Sequence, residues 1–232
     1  KSVFVEKPLT LDLEDLNHIY SFFEKTKEMP VLMVGYNRRF SPVIIRIKQA
    51  IENRTSPMIV NYRMNAGYIP LDHWVHGPEG GGRNMGEACH IYDLFNFLVG
   101  STSIQSVKAH AVSPQSDKWS VTDNFVVSIK YTEGSICNLT YTALGNKQYS
   151  KEQMEVYFDG YVAVMDDYKS CHFVGGNFKK VASKVADKGQ FQELNSLADC
   201  LLRGQSWPIS LDEIICASRV SFEVDAQIKE AV

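Results

Sequence analysis

The 232-residue chain is predicted to be an α+β protein: a short strand–helix–strand start, then an open, mostly antiparallel β-sheet packed on helices. Three observations predict this. Two short apolar, β-rich runs, "SVFVE" (2–6) and "VLMVGY" (31–36), flank a stretch with helical apolar spacing. Five later segments alternate apolar and polar residues with the period of a half-buried strand. Two long amphipathic patterns close the chain.

Taken in order, Thr10 is the expected N-cap of the first helix, whose apolar residues are Leu11, Leu13, Leu16, Ile19, Tyr20, Phe22 and Phe23, and Pro30 closes it. A strand–helix–strand run this short predicts parallel pairing of its two strands. In "SPVIIRIKQAIENR" (41–54), Ser41 as cap and Pro42 at the first helical position mark a second helix. The strands that follow are "PMIVNYRMNAG", "IQSVKAHAVS", "NFVVSIKYTEGSICNLTYTAL", "MEVYFDGYVAVMDD" and "SCHFVGG", with hairpin turns at Glu133-Gly134 and Asp159-Gly160. A helix at 85–100 lies between the first two and ends at Gly100; further helices are expected at 189–204 and 210–231. "KKVASKVADKG" (179–189) reads as a mobile loop.

Composition narrows the function. The net charge of −3 leaves no basic excess to neutralise phosphates, so no nucleic-acid partner is expected. No apolar run reaches the roughly 18 residues of a membrane helix, and no membrane partner is expected. Five cysteines, none in CxxC spacing, suit reduced thiols in a cytoplasmic protein.

Four stretches carry residues suited to chemistry. "EKP" places Glu6, Lys7 and Pro8 at the C-terminal end of a parallel strand, where open α/β sheets bind ligands. "GYNRRFSP" sets Asn37, Arg38 and Arg39 at the end of the next strand. "NAGYIPLDHWVHGPEGGGRNMGEACHIYDL" (65–94) combines Tyr68, His73, Trp74 and His76 with a glycine-rich loop, then a helix bearing Glu87, His90 and Asp93 at successive i, i+3 steps. An imidazole between two carboxylates suits a general acid or base near neutral pH. "YTALGNK" ends a strand with Tyr141 and Asn146, which can meet a polar substrate. His73, His76, Cys89 and His90 are residue types that suit zinc, but their spacing matches no zinc motif and no metal is assigned.

Together "VFVEKPLTL", "VGYNRRFSP" and "GGGRNMGEACHIYDL" resemble the glucose–fructose oxidoreductase / inositol dehydrogenase / MocA family, and most resemble the branch found at the C-terminal end of two-part oxidoreductases. "TYTALG" and "EVYFDG" are similar too, and the resemblance covers nearly the whole chain. It implies that residues 1–40 are the end of a Rossmann-type dinucleotide-binding fold and residues 41–232 a substrate and oligomerisation domain. It implies NAD or NADP as cofactor, a sugar, cyclitol or nucleotide-sugar as substrate, and self-association through the open sheet face. It assigns Lys7 to both cofactor and substrate, and His90 to proton transfer at the reacting hydroxyl. Many members carry an Asp four residues before that histidine; here the position is Gly86, so Glu87 or Asp93 is left to orient His90. Glu6, Pro8, Asn37 and Arg38 fall on the cofactor side; Arg39, Tyr68, His73, Trp74, Arg83 and Asp93 fall on the substrate side. The family's GxGxxG turn does not occur in the 232 residues, so this form is expected to be a truncated one with no bound cofactor and little activity.

Overall fold

The computed structural model describes residues 1–26 and 29–230. The chain runs β1 (Val3–Val5), α1 (Leu13–Lys25), β2 (Leu32–Val34), a 3-10 turn Asn37–Phe40, α2 (Pro42–Ile51) and β3 (Ile59–Asn65). A π-helical turn, Asn84–Ala88, leads into α3 (Cys89–Val99). Then come β4 (Ile104–Ala111), β5 (Asn124–Tyr131), β6 (Ile136–Thr142), β7 (Glu152–Phe158), β8 (Tyr161–Asp166), β9 (Ser170–Val174), β10 (Val181–Ala182), α4 (Gln190–Arg203) and α5 (Leu211–Glu230).

β1 and β2 pair in parallel, with Val3 opposite Leu32 and Val5 opposite Val34. The remaining strands form one eight-stranded sheet in the order β10-β9-β8-β7-β3-β6-β5-β4. Every pairing in it is antiparallel except β3 with β6. The predicted hairpins are present: Gly134 follows β5, and Asp159 and Gly160 join β7 to β8, each with positive φ.

Alternation sets the core. On β5, Phe125, Val127, Ile129 and Tyr131 turn inward; on β6, Cys137, Leu139 and Tyr141; on β7, Met154, Val156 and Phe158. This face meets α3 and α5, so the helices cover one side of the sheet. Tyr131 donates to Asn96 Oδ1 at 2.8 Å, and Gln227 on α5 brackets the β4 backbone at Ala109 and Val107, which fixes the helices over the strands. α2 contributes Ile44, Ile47 and Ile51, all fully buried, each stabilising by about 1.5–3 kcal/mol relative to exposure. The same core takes in Leu16 and Phe23 of α1 and Val34 of β2, so the strand–helix–strand start shares its apolar interior with the sheet.

Three local expectations change. Asp12, not Thr10, caps α1: its Oδ1 accepts from the Glu14 amide at 2.6 Å. Ser41 stands at the cap position of α2 but makes no cap bond, because its hydroxyl donates to the Asp187 carbonyl at 2.7 Å. Residues 179–189 are not a free loop: Val181 and Ala182 pair with β9, and Lys188 is tied to a buried carboxylate. Gly100 closes α3 as expected, in the left-handed conformation that a glycine adopts without a Cβ clash.

Candidate active site

Both charged residues of the EKP stretch lie where β1 ends. Lys7 is half-buried, the Lys7–Pro8 peptide is cis, and the Lys7 ammonium donates to the backbone carbonyl of Gly86. That carbonyl belongs to the π-helical turn leading into α3, so Lys7 reaches across to the helix that carries His90. The turn explains why residue 86 has no side chain: a Cβ there would stand 2.5 Å from the Gly80 carbonyl oxygen of the glycine-rich loop. No aspartate fits at 86. Lys7 meets a backbone carbonyl where many family members would offer a carboxylate.

His90 is buried, 6% exposed, and its Nδ1 has no hydrogen-bond partner among the described residues. Tyr36 packs edge-on against the ring at 6.1 Å. His90 opens onto a polar cleft of about 330 Å³, walled by Glu6, Gly35, Asn37, Arg38, Lys188, Gln190 and Glu193. Burial, then the cations Arg38, Lys7, Lys188 and Lys151, hold the imidazole well below its ordinary proton affinity. It is therefore neutral at pH 7. Hollows of about 370 and 510 Å³ flank α5 near Thr102, and one of about 400 Å³ lies beside Asn65 and Lys147, but none of the three is lined by a histidine.

The two acids expected to orient His90 are engaged elsewhere. Glu87 accepts from the Tyr141 hydroxyl and, at 3.0 Å, from Lys151, with Arg83 at 3.8 Å. Burial would raise its proton affinity, but Lys151 and Tyr141 outweigh that and lower it. The physical reason is the π turn: it inserts an extra residue per turn and breaks the i, i+3 phase between Glu87 and His90. Asp93 turns away to Arg39, which grips it with Nε at 2.9 Å and Nη2 at 2.6 Å and holds Glu213 with Nη1 at 2.9 Å. Arg39 and Asp93, expected on the substrate side, form instead a buried ion pair joining the 37–40 turn to α3 and α5. Such a pair fixes geometry more than it stabilises.

The loop residues are also displaced from expectation. Tyr68, His73 and Trp74 are exposed and absent from the His90 cleft. Tyr68 packs edge-on against Trp119 at 5.2 Å beneath Lys118, and His73 caps the short 3-10 turn at Trp74–His76 through Val75. Arg83 is buried, donating to the Gly67 carbonyl and standing 3.6 Å from Asp123. Of the four zinc-type residues, His73 is exposed, Cys89 is fully buried in α3, and His90 is buried against the cleft. Among the described residues no group of three or more His, Cys, Asp or Glu side chains converges in a way that could hold a metal.

Sequence reasoning missed the group that shapes the cleft. Glu152, fully buried at the start of β7, accepts from Arg38 Nε at 2.9 Å and Nη2 at 3.3 Å, from the Tyr62 hydroxyl at 2.5 Å, and from Lys188. Burial opposes its charge, yet Arg38 and Lys188 prevail and bring its pKa down to about 2. Arg38 and Asn37 were expected to face the cofactor. Two donor nitrogens of Arg38 go to Glu152, and Asn37 Nδ2 donates to the Lys188 carbonyl at 2.8 Å, so both act as wall. A signal existed for Glu152: strict alternation puts it inward with Met154 and Val156.

Comparison with known proteins gives a consistent picture. The GFO/IDH/MocA C-terminal domain model matches residues 45–161. The chain is 30% identical over 142 residues to scyllo-inositol 2-dehydrogenase (NAD(+)) of Bacillus subtilis, a match covering 58% of this chain and 40% of that protein. It is 28% identical over 142 residues to myo-inositol 2-dehydrogenase of Thermotoga maritima, covering 59% and 41%. The chain thus spans about two fifths of the length of the curated relatives it matches. In fold it resembles UDP-N-acetylglucosamine 3-dehydrogenase from Acidithiobacillus ferrooxidans, with a TM-score of 0.78 at 19% identity over 99% of this chain and 71% of that one. The chain belongs to the GFO/IDH/MocA family of oxidoreductases and carries its C-terminal domain.

Proposed function

We propose that these residues form the substrate side of an NAD(P)-dependent dehydrogenase acting on a CH–OH carbon of a sugar, cyclitol or nucleotide-sugar. The observation that carries this reading is the neutral, unpartnered imidazole of His90, held in a polar cleft at the C-terminal ends of two parallel strands beside the Lys7 ammonium. The names of the curated relatives, inositol dehydrogenases, support the substrate class. Residues 1–40 are read as the end of the dinucleotide-binding part and residues 41–232 as the substrate domain.

The cleft suits a planar ring: Gly35 contributes no side chain to its wall, and His90 lines it. Glu6, Lys7 and Pro8 would hold a nicotinamide there, with Asn37 and Arg38 as backing. When bound, that group supplies the acceptor or donor of hydride. His90 takes the hydroxyl proton in oxidation and returns it in reduction. Lys7 has three N–H donors and uses one on Gly86, which leaves donors for the developing alkoxide. The cations around His90 make its protonated form a strong acid, so the same electrostatics that keep the base free drive proton return in the reductive direction.

The pH dependence tests this. A base whose proton affinity is depressed stays free below the ordinary histidine pKa of about 6.5. With the complete protein, NAD+ and myo-inositol as the assay pair, the acid limb of kcat/KM for oxidation is expected below pH 6.5. An acid limb above pH 7 removes His90 from the role.

We also propose that the open sheet face is a contact between two copies of the chain. Its outer side exposes Ile59, Val126 and Tyr157 among the polar residues Asn61, Asn138 and Arg63. Light scattering is expected to give twice the mass of one chain, and Val126→Lys to return it to one. A single-chain mass for the unaltered protein refutes the contact.

A further inference from the structure

A second buried titratable group lines the His90 cleft and has no part in the reaction just described. α4 is inverted with respect to an ordinary amphipathic helix: it exposes Phe191 (72%), Leu194 (54%) and Leu202 (84%) and buries Glu193 (4%). Glu193 lines the cleft, and its Oε1 has no hydrogen-bond partner among the described residues. An acceptor left without a partner in a buried place is unfavourable. Among the neighbouring groups, Arg38 Nε and Nη2 and the Lys188 ammonium donate to Glu152, and Asn37 Nδ2 donates to the Lys188 carbonyl.

The charged and titratable groups around Glu193 come from every element at the cleft. Glu6 follows β1, Asn37 and Arg38 sit in the 3-10 turn, His90 and Asp93 belong to α3, and Lys188 precedes α4. Burial first, then the Glu6 and Asp93 carboxylates, push the Glu193 carboxyl up to about 8. At neutral pH it carries its proton. A neutral carboxylic acid donates one hydrogen bond and accepts others, which is the pattern of an alcohol hydroxyl.

We propose that Glu193 is a ligand-binding residue of the cleft, gripping a hydroxyl of a neutral polyol through its carboxyl group, which donates its acid proton to the hydroxyl oxygen and accepts the hydroxyl proton in return. The unpartnered carboxyl oxygen and the place of Glu193 in the wall of the same cleft as His90 point to a ligand rather than a side chain as its partner. This rests on the dehydrogenase reading for the choice of ligand and not for the state of the carboxyl.

The test uses the 232-residue chain with 13C at the glutamate carboxyl carbons and 15N in the imidazoles, and myo-inositol as probe. The Glu193 resonance, assigned through the backbone so that nothing depends on a variant folding, is expected to titrate near pH 8 and to vanish in Glu193→Gln. Saturating myo-inositol is expected to shift the Glu193 and His90 resonances together. Glu193→Gln, which keeps a donor and an acceptor, is expected to bind within about threefold of the unaltered chain; Glu193→Met, which keeps neither, at least about tenfold more weakly, as one or two lost hydrogen bonds predict. Titration in the ordinary glutamate range, or myo-inositol moving His90 but not Glu193, overturns the inference and leaves the dehydrogenase reading standing. Myo-inositol moving neither overturns the inference, and the pH profile of the complete protein decides the dehydrogenase reading separately.

Discussion

Replacing His90 with Ala in the complete protein is expected to lower kcat for polyol oxidation by about 10²–10⁴-fold while KM changes little, because a positioned acid–base group contributes about that much to proton transfer. The expectation follows from the isolation of the imidazole. His90 leans on no carboxylate: Glu87 is held by Tyr141 and Lys151, and Asp93 by Arg39. The charges that act most strongly on it are cations, and none of them can accept the hydroxyl proton. With the ring gone, the proton has to leave to water with no positioned base. The conservative change Glu87→Gln is expected to cost far less, since Glu87 faces away from His90. Initial rates at saturating NAD+ decide. Turnover within about threefold of the unaltered protein for His90→Ala would remove the imidazole from the chemistry.

The second large effect is on stability. Glu152→Ala is expected to destabilise the fold by about 3–5 kcal/mol, because it strips the counter-charge from Arg38, a fully buried cation, and from Lys188. For a domain of this size that lowers Tm by on the order of 10 °C. The Tyr62 hydroxyl loses its acceptor as well and keeps only Tyr168, at 3.0 Å. pH adds a sign. The Glu152 pKa is depressed in the folded state, so its stabilisation is whole above the ordinary glutamate value of 4.5 and drains away as pH falls toward about 2. Glu152→Ala should therefore flatten the acid side of the stability curve as well as lower it. Denaturant melts at pH 7 and pH 3 measure both; a loss under 1 kcal/mol at pH 7 would show that the cluster relaxes around a missing carboxylate.

The fold was legible wherever one periodicity ruled a segment. β5, β6 and β7 alternate cleanly, and α2 and α3 carry strong caps or stops in Pro42 and Gly100. Of the candidate site, the sequence singles out the two proposed poles. Lys7 and His90 stood out because a charge at a strand end and an imidazole on an apolar helix each ask for an explanation. What lay between them was hidden for three physical reasons. The π turn shifts side-chain phase by a residue, which an i, i+3 count cannot foresee, so Glu87 was misdirected. Long-range ion pairs such as Arg38–Glu152 join residues 114 positions apart, and local pattern does not report them. Glu193 sits on the face of α4 that its apolar neighbours mark as outward, so the pattern argued against its burial.

The placement of β3 has a consequence for how the molecule is assembled. β6 and β7 follow one another in the chain, yet they do not pair; β3 is wedged between them, parallel to one and antiparallel to the other. The middle of the sheet therefore cannot zip up from adjacent hairpins. An early segment leaving the ribosome has to wait, unpaired on both edges, until roughly eighty further residues have been made, and only then does the centre close. Non-local closure of this kind is slow, and the waiting strand is the part of the nascent chain most exposed to wrong partners.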